Sequence, residues 1–151
     1  MLRLKIASGL LTCLLLTACF DAIKDTHPEQ VFTKRQALFK QFTRTMEPIG
    51  LMAVGRREYK PDEFLAMAQE LEKLSTKPWA YFPADGNYPP TRAKPTVWSQ
   101  PEAFKAAQVK YQASVQALLL AAQAGKKDAL PGAVDGVTAA CKACHKDFRY
   151  E

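Results

Sequence analysis

The sequence Cys141-Lys142-Ala143-Cys144-His145 lies near the end of a chain of 151 residues and decides how the rest is interpreted. Its two cysteines are about one helical turn apart, and a histidine follows the second directly. The pattern C-x-x-C-H is the attachment signature of a c-type haem, whose two vinyl groups take one thiol each. The histidine is then held beneath the iron as an axial ligand. The stretch therefore predicts one covalent haem c, bound through Cys141 and Cys144, with His145 as the iron ligand.

Two other uses of these residues are weaker. A bare C-x-x-C can be a thioredoxin-type redox pair, but that motif belongs near a βαβ pattern, which this sequence lacks. A structural zinc site needs four ligands, and the one other histidine, His27, is far away in the sequence. The histidine that directly follows Cys144 separates haem attachment from both alternatives.

The N-terminus has the features of an export signal. Residues 1–5 include two cations, and residues 6–16 are mostly apolar but too short to span a bilayer comfortably. The sequence Leu16-Thr17-Ala18-Cys19 resembles the lipobox of bacterial lipoproteins, in which cleavage precedes the cysteine and its sulfur receives a diacylglycerol. We therefore predict a lipoprotein signal peptide over residues 1–18 and lipidation of Cys19. An ordinary signal peptide cut nearby would instead leave Cys19 as a free or crosslinking thiol.

This prediction determines the expected location. A lipidated, exported chain faces the periplasm and is anchored to the bacterial cell envelope, and multiple acyl chains make such an anchor stable. Phe20, in place of an aspartate after Cys19, favours the outer membrane under enterobacterial sorting. No cysteine is left unassigned, because Cys13 is removed with the signal peptide.

Residues 19–27 are predicted to be a tether, and residues 28–151 to be a single domain. Removal of residues 1–18 leaves 133 residues, enough to bury a core, and lowers the formal charge from +6 to +4 through loss of Arg3 and Lys5. The lysines are scattered, with no basic stripe interleaved with aromatic residues. The sequence therefore does not indicate a nucleic-acid-binding protein.

Apolar residues recur at three- and four-residue spacing in four segments, which is the pattern of amphipathic helices. The first segment is predicted to start at a capping box, Thr26 to Glu29, and to bend near Pro48. The other three are predicted to run from Pro61 to near Ser75, from a capping box at Ser99 to Glu102 as far as Gly125, and from an Asp128 cap through the haem motif.

Residues 76–99 differ in composition, because five prolines are interspersed with aromatic residues such as Trp79 and Trp98. No regular helix or strand is expected to persist there, yet so many aromatics predict a loop that is pinned to the domain. Four helices with one long crossing and a cofactor in the core predict an all-α fold, an up-and-down four-helix bundle with covalently bound haem c.

With these features the sequence resembles cytochrome c′, the class II c-type cytochromes, in which C-x-x-C-H stands near the C-terminus of a four-helix bundle. The resemblance covers essentially the whole mature chain. The residues that carry it, besides the haem motif, are Lys34-Arg35-Gln36, Lys94-Pro95, Trp98-Ser99, Phe104-Lys105 and Phe148-Arg149.

The family's functional question is what stands opposite His145. In its low-spin members a methionine four residues after the first-helix arginine ligates the iron, and counting from Arg35 gives Phe39, which has no lone pair. The resemblance therefore implies a five-coordinate, high-spin iron in an apolar pocket that binds nitric oxide and carbon monoxide but offers dioxygen no hydrogen bond. Met46 and Met52 are the alternative ligands, although methionine at helical spacing is more often core filling.

Two arginines are also predicted to act at the haem. Arg35 is a candidate partner of a haem propionate, the alternative being a position along the bundle surface. Arg149 follows His145 by one turn, where the resemblance implies a basic residue that influences ligand exchange, and a cation there also suits a helix C-terminus. His27 is predicted to be exposed and without a structural role.

Three functions are compatible with such a haem. The first is capture of nitric oxide, which protects respiratory haem and metal enzymes. The second is single-electron transfer between membrane dehydrogenases and periplasmic or outer-membrane acceptors, which requires a redox partner protein. A peroxidase is less favoured, since no histidine is available near Phe39 as a distal acid–base group. The resemblance further implies a homodimer formed through the first two helices.

Overall fold

The computed structural model describes residues 24–151, so the predicted signal peptide and the lipidation of Cys19 lie outside the described residues. The described chain contains no strand, only one isolated β-bridge. Two short 3-10 helices, Lys77–Tyr81 and Lys127–Ala129, lie in the connections. The α-helices are α1 (Val31–Ala53), α2 (Pro61–Leu74), α3 (Thr96–Ser99), α4 (Pro101–Gln123) and α5 (Leu130–Phe148).

Four of these helices form the bundle, because α3 is a single turn. Helix α1 packs on α2, α2 on α4, α4 on α5, and α5 on α1, which confirms the predicted four-helix fold. Each helix turns one apolar face inward, as the three- and four-residue spacing predicted. The fully buried side chains of this core include Ile49, Phe64, Leu71, Leu118 and Leu130. Burial of one such side chain contributes about 1.5–3 kcal/mol.

The start of α1 differs from the prediction. Residues 27–29 form a turn, Gln30 adopts a left-handed conformation with φ 51°, and the helix begins at Val31. The carboxylate of Asp25 accepts hydrogen bonds from the backbone N–H groups of Thr33 at 2.8 Å and His27 at 3.1 Å. The predicted capping box at Thr26 to Glu29 was therefore wrong, because a residue upstream of it supplies the acceptor.

The side-chain caps predicted for the last two bundle helices were also wrong. Ser99 lies in α3, Asp128 lies in a 3-10 turn, and neither α4 nor α5 has a side-chain cap. Both helices carry proline in their first turn, at Pro101 and Pro131. Proline has no N–H to satisfy and a preset φ, so these helices start without a capping side chain.

The other predicted ends agree with the structure. Helix α2 begins at Pro61 and ends one residue before Ser75. Helix α4 is stopped at Gly125, whose φ of +64° lets its N–H bond to the carbonyl of Ala122 at 3.1 Å.

Residues 76–99 are attached to the bundle by their aromatic side chains, as predicted. The Trp79 ring packs on Phe39 of α1 and on Phe104 and Tyr111 of α4. Its indole N–H donates to the carbonyl of Ser75, and that of Trp98 donates to the carbonyl of Pro83 within the loop, both at 2.7 Å. The loop is also tied to the chain end, since the Tyr150 N–H donates to the carbonyl of Arg92 at 2.8 Å. None of the helices in the described range is long and apolar enough to cross a membrane.

Candidate functional site

The two thiols of the predicted haem motif lie in the last turns of α5 and face the bundle interior. Cys141 and Cys144 are free and half-buried, so they do not form a disulfide in the structure. Burial raises the pKa of both thiols, that of Cys144 to about 11, with added repulsion from Cys141 and Asp147. Both thiols are therefore protonated at neutral pH and lie against apolar side chains.

Six rings contact one another in a group that we name the aromatic cluster, which comprises Phe39, Phe42, Trp79, Phe82, Phe104 and Tyr111. Cys141 packs against the core cluster that contains Phe42 and Tyr111, and Cys144 packs against the smaller one that contains Phe104. The Phe39 ring lies edge-on to Phe42 at 5.5 Å and to Trp79 at 6.1 Å, measured between centroids. Phe39 is half-buried and belongs to the same side-chain cluster as Cys141. Its position over the iron stays a prediction.

Arg35 is inside the molecule, since only 4% of the residue is exposed. Its guanidinium donates to the carbonyl of Tyr81 at 3.1 Å and to the hydroxyl of Thr91, and it lies over the Phe82 ring at 4.6 Å. The alternative position along the bundle surface was therefore wrong.

No carboxylate among residues 24–151 lies within salt-bridge distance of Arg35. The carboxylates with a basic partner in this range are Glu63, beside Arg57, and Asp85, beside His27. Burial lowers the pKa of Arg35, while the more distant Tyr88 and Asp25 act in the opposite direction. A buried charge is costly unless it is paired. Arg35 therefore fits an anionic partner such as a haem propionate.

Tyr111 is a residue that the sequence analysis treated only as part of an apolar face. Its hydroxyl is buried and has no hydrogen-bond partner, and it is the only such side-chain atom in the part of the chain that the structure describes. Burial raises the pKa of Tyr111 well above its usual range, and nearby Cys141 adds to this. The signal in the sequence was a single hydroxyl on an otherwise apolar helix face.

These observations test whether the residues fit a covalent haem. Two thiols face the interior one turn apart, a buried guanidinium lacks a carboxylate, and a buried hydroxyl lacks a partner. A haem c supplies vinyl groups for the thiols and carboxylates for the guanidinium. The residues at this end of the bundle therefore fit the predicted cofactor.

His145 and Arg149 lie at the C-terminal end of α5. The His145 side chain reaches the surface, yet packing around its ring and the charge of Arg149 lower the pKa of the imidazole. The ring is therefore mostly neutral at pH 7 and has a lone pair for a metal. Arg149 follows the last helical residue in an extended conformation, and its N–H donates to the His145 carbonyl at 3.0 Å.

Cys144 also lines an open pocket of about 490 Å³ between α4 and α5. Four alanines line the pocket, and three lysines, Lys94, Lys110 and Lys146, border it. Neither Phe39 nor Arg35 lines this pocket. Phe39 is near the thiols because it and Cys141 pack against the same core cluster.

His27 has a structural role, contrary to the prediction. Only 12% of its side chain is exposed, its Nε2 lies 3.2 Å from the Asp85 carboxylate, and its ring stacks on Tyr88 at 5.6 Å. The Tyr88 hydroxyl donates to Asp25 at 2.6 Å. His27 therefore helps to attach the N-terminal segment to the long loop.

The zinc alternative requires four ligands close together. Across residues 24–151, no group of three histidine, cysteine, aspartate or glutamate side chains is arranged to hold a metal ion.

The two alternative methionine ligands are part of the core. Met52 is 1% exposed and belongs to the main core cluster, and Met46 packs against the same cluster. Both lie in the C-terminal half of α1, one turn or more beyond Phe42.

Comparison with known proteins gives a consistent result. A family model described as cytochrome C' matches residues 30–149. The cytochrome c' of Alcaligenes xylosoxydans xylosoxydans is 32% identical over 125 residues, which cover 81% of this chain and 94% of the relative. The crystal structure of cytochrome c' from Rubrivivax gelatinosus superposes with a TM-score of 0.78 at 28% identity, covering 84% of this chain and all of that one, 100%.

Two similar structures contain diatomic ligands. A nitric oxide complex of a mutant of cytochrome c prime from Alcaligenes xylosoxidans has a TM-score of 0.78 at 30% identity and covers 85% of this chain and 99% of its own. A carbon monoxide complex of another variant of that protein has the same TM-score, 0.78, at 30% identity, with 85% and 100% coverage.

Proposed function

The chain belongs to the cytochrome c′ family, as its sequence predicted, and we propose that it is a five-coordinate haem protein that binds nitric oxide and carbon monoxide. One haem c is attached covalently through Cys141 and Cys144. The haem, when bound, supplies the iron to which a diatomic ligand can coordinate. The observation that carries the proposal is Phe39, which packs edge-on against Phe42 and Trp79. The family resemblance implies that a methionine at this position would close the site.

Each side chain contributes through its own chemistry. His145 offers a neutral imidazole as the axial ligand, and Arg149 influences it by charge. Arg35 pairs with a propionate, because its buried guanidinium has donors and no carboxylate of its own. Phe39 excludes water and offers no lone pair, so the side opposite His145 stays open to small ligands. The nitric oxide and carbon monoxide complexes of the similar structures support the same ligand class for this chain.

The test is the absorption spectrum of the purified holoprotein, ferric and ferrous, with and without nitric oxide. Wild type should be high-spin and should respond to nitric oxide. The Phe39→Met variant should become low-spin and lose most of this response, because a thioether would ligate the iron. Phe42→Met is the matched control, since it brings the same side chain to the same cluster one turn away and should leave the spectrum high-spin.

A low-spin wild-type spectrum without a ligand response would contradict the proposal. Met46 or Met52 would then be the internal ligand to test, and single-electron transfer to a redox partner protein would be the better function. The two methionines are distinguished by replacing each with leucine, which preserves volume and removes the thioether.

We propose that the haem domain is held at the periplasmic side of the cell envelope by a lipid on Cys19, after cleavage of residues 1–18. The support is the lipobox-like sequence before Cys19 and the fit of the family to residues 30–149, which leaves the N-terminal segment outside the domain. A Cys19→Ser variant should be recovered from the soluble periplasmic fraction, whereas wild type should sediment with membranes, and separation of the two membranes tests the outer-membrane prediction. Equal fractionation of both proteins would contradict it.

The proposed physiological role is protection of respiration from nitric oxide. Cells that lack the protein should lose oxygen consumption at lower nitric oxide concentrations than wild-type cells. Complementation with Phe39→Met should fail to restore resistance, and complementation with Phe42→Met should succeed. If both variants restored resistance, the open iron site would not be required for protection, and the proposed role would be contradicted.

A homodimer formed through α1 and α2 is a further prediction, tested by sedimentation of the soluble holoprotein.

A further inference from the structure

The hydroxyl of Tyr111 lacks a partner in a place where polar groups normally have one. The residue is 5% exposed, and its Oη has no hydrogen-bond acceptor or donor in the described chain. A buried hydroxyl without a partner is costly, and native proteins rarely retain one. The position therefore indicates a partner that the polypeptide itself does not provide.

The neighbours of Tyr111 are side chains of the candidate haem site. The Tyr111 ring contacts Phe42 at 5.6 Å and Trp79 at 6.3 Å, and these two rings also contact Phe39. Tyr111 on α4 and Phe39 on α1 thus border the same two rings from different helices. Cys141 is near enough to Tyr111 to influence its ionisation. The unpaired hydroxyl therefore belongs to the same group of packed side chains as the haem-attaching thiol of Cys141 and Phe39.

No other member of the aromatic cluster has a free hydrogen-bond donor. Phe39, Phe42, Phe82 and Phe104 have no polar atom, and the indole N–H of Trp79 is already bonded to the Ser75 carbonyl. Tyr111 stays protonated at neutral pH, because burial raises its pKa. It is therefore the one donor that the cluster offers.

We propose that Tyr111 donates a hydrogen bond to the diatomic ligand held at the haem and so tunes how tightly nitric oxide and carbon monoxide are retained. The inference rests on the proposed function, because it requires an iron open on the Phe39 side. It changes the picture of a wholly apolar pocket, since a phenol donor favours ligands with more negative charge on their outer atom.

The test compares wild type with Tyr111→Phe, which removes the hydroxyl and keeps the ring. Two quantities are measured on the full-length holoprotein: the C–O stretching frequency of the ferrous carbon monoxide complex and the dissociation rate of nitric oxide. The variant should show a higher stretching frequency and roughly two- to tenfold faster dissociation, the effect of losing one hydrogen bond. Tyr59→Phe is the matched control, because Tyr59 packs on Phe64 outside the aromatic cluster and should change neither quantity.

A second measurement needs no variant and covers poor folding of Tyr111→Phe. Transfer of wild type from H₂O to D₂O replaces the phenol hydrogen and should shift the C–O frequency, provided that a hydrogen bond to the ligand exists. If carbon monoxide binds but neither the variant nor D₂O changes the frequency, Tyr111 is not the donor, and the proposed function stands. If wild type binds no carbon monoxide, the proposed function itself fails.

Discussion

The two ends of the bundle are built from different kinds of side chain. Successive bundle helices run in opposite directions, so the start of α1 and the end of α5 lie at one end, which we name the haem end. The opposite end is closely packed and apolar, with Ile49, Phe64, Leu118 and Leu130 each 0% exposed. These side chains pack against one another in one core cluster and contain no polar atom that lacks a partner.

The haem end contains groups that remain incomplete within the polypeptide. Arg35 is a buried cation without a carboxylate, and Tyr111 has a buried hydroxyl without a partner. Such groups weaken a core unless something pairs with them. The comparison indicates that the opposite end packs without a cofactor and that the haem end has groups that a cofactor would complete.

The largest effect should follow removal of both attachment sites. A Cys141→Ser/Cys144→Ser double variant should retain no haem on a denaturing gel. Without the cofactor, amide hydrogen exchange should accelerate more in residues 104–111, at the haem end, than in residues 115–122 on the same helix. The Cys141→Ser single variant is the control, because one thioether should remain and keep part of the haem stain. Equal loss of protection in both peptides would show that the ends are not independent.

A cavity at the opposite end should reduce stability and leave the haem unaffected. Leu118→Ala should lower the free energy of unfolding by about 2–5 kcal/mol, because Leu118 is fully buried. The matched control is Leu120→Ala on the same helix, whose side chain is 55% exposed and whose loss should cost within about 0.5 kcal/mol. Denaturant unfolding measures both, and the spectrum should be unchanged. A spectral change in Leu118→Ala would mean that the two ends are coupled.

Replacement of Arg35 should affect the haem end in two separable ways. Arg35→Gln removes the charge and should lower the reduction potential, because a nearby cation favours the ferrous haem, which is one unit less positive. It should also reduce stability by about 1–3 kcal/mol, since the acceptors Tyr81 and Thr91 lose a donor. Arg35→Lys retains the charge, so it should recover most of the potential but not the stability. An unchanged potential in Arg35→Gln would exclude propionate pairing.

The sequence predicted the opposite end and the four helices well, because both depend on local signals. Apolar spacing identified the buried faces, and Pro61 and Gly125 marked helix boundaries through their own backbone restrictions. The predicted caps at Thr26, Ser99 and Asp128 were wrong because a local signal was not sufficient there. A side chain with capping ability is common in sequence, and only the fold decides whether a proline or a residue further upstream removes the need for it.

The haem end was predicted less completely. Cys141 and Cys144 follow from a motif of fixed spacing. Phe39 was identified by counting from Arg35 to the position that the family resemblance implies, and its role stays a prediction. Tyr111 was missed because periodicity counts its ring as apolar and does not register the hydroxyl. The bonds of Arg35 to Tyr81 and Thr91 connect residues 46 and 56 positions apart, which no local pattern reveals.

The smallest predicted effect concerns the segment that leads into the haem end. Burial alone would raise the pKa of Asp25, but hydrogen bonds from Tyr88, Thr33 and His27 outweigh it and hold the pKa well below its usual range. A lowered pKa means that the carboxylate stabilises the fold at pH values above the ordinary aspartate pKa of about 4. This contribution is lost as the pH falls through the lower pKa of the folded state.

Asp25→Asn should therefore be less stable than wild type at pH 7, and the difference should shrink on acidification below about pH 4. Denaturation midpoints at several pH values measure this difference. Asp85→Asn is the control, because it removes only the exposed partner of His27 and leaves the bonds of Asp25 to Tyr88 and Thr33 in place. A difference between wild type and Asp25→Asn that stays constant with pH would assign the loss to amide geometry and not to charge. The hydrogen bonds to Asp25 would then stabilise the start of α1 through their geometry and not through the charge of the carboxylate. Arg35 would remain a charged group on which the haem end depends, and Asp25 would not be one.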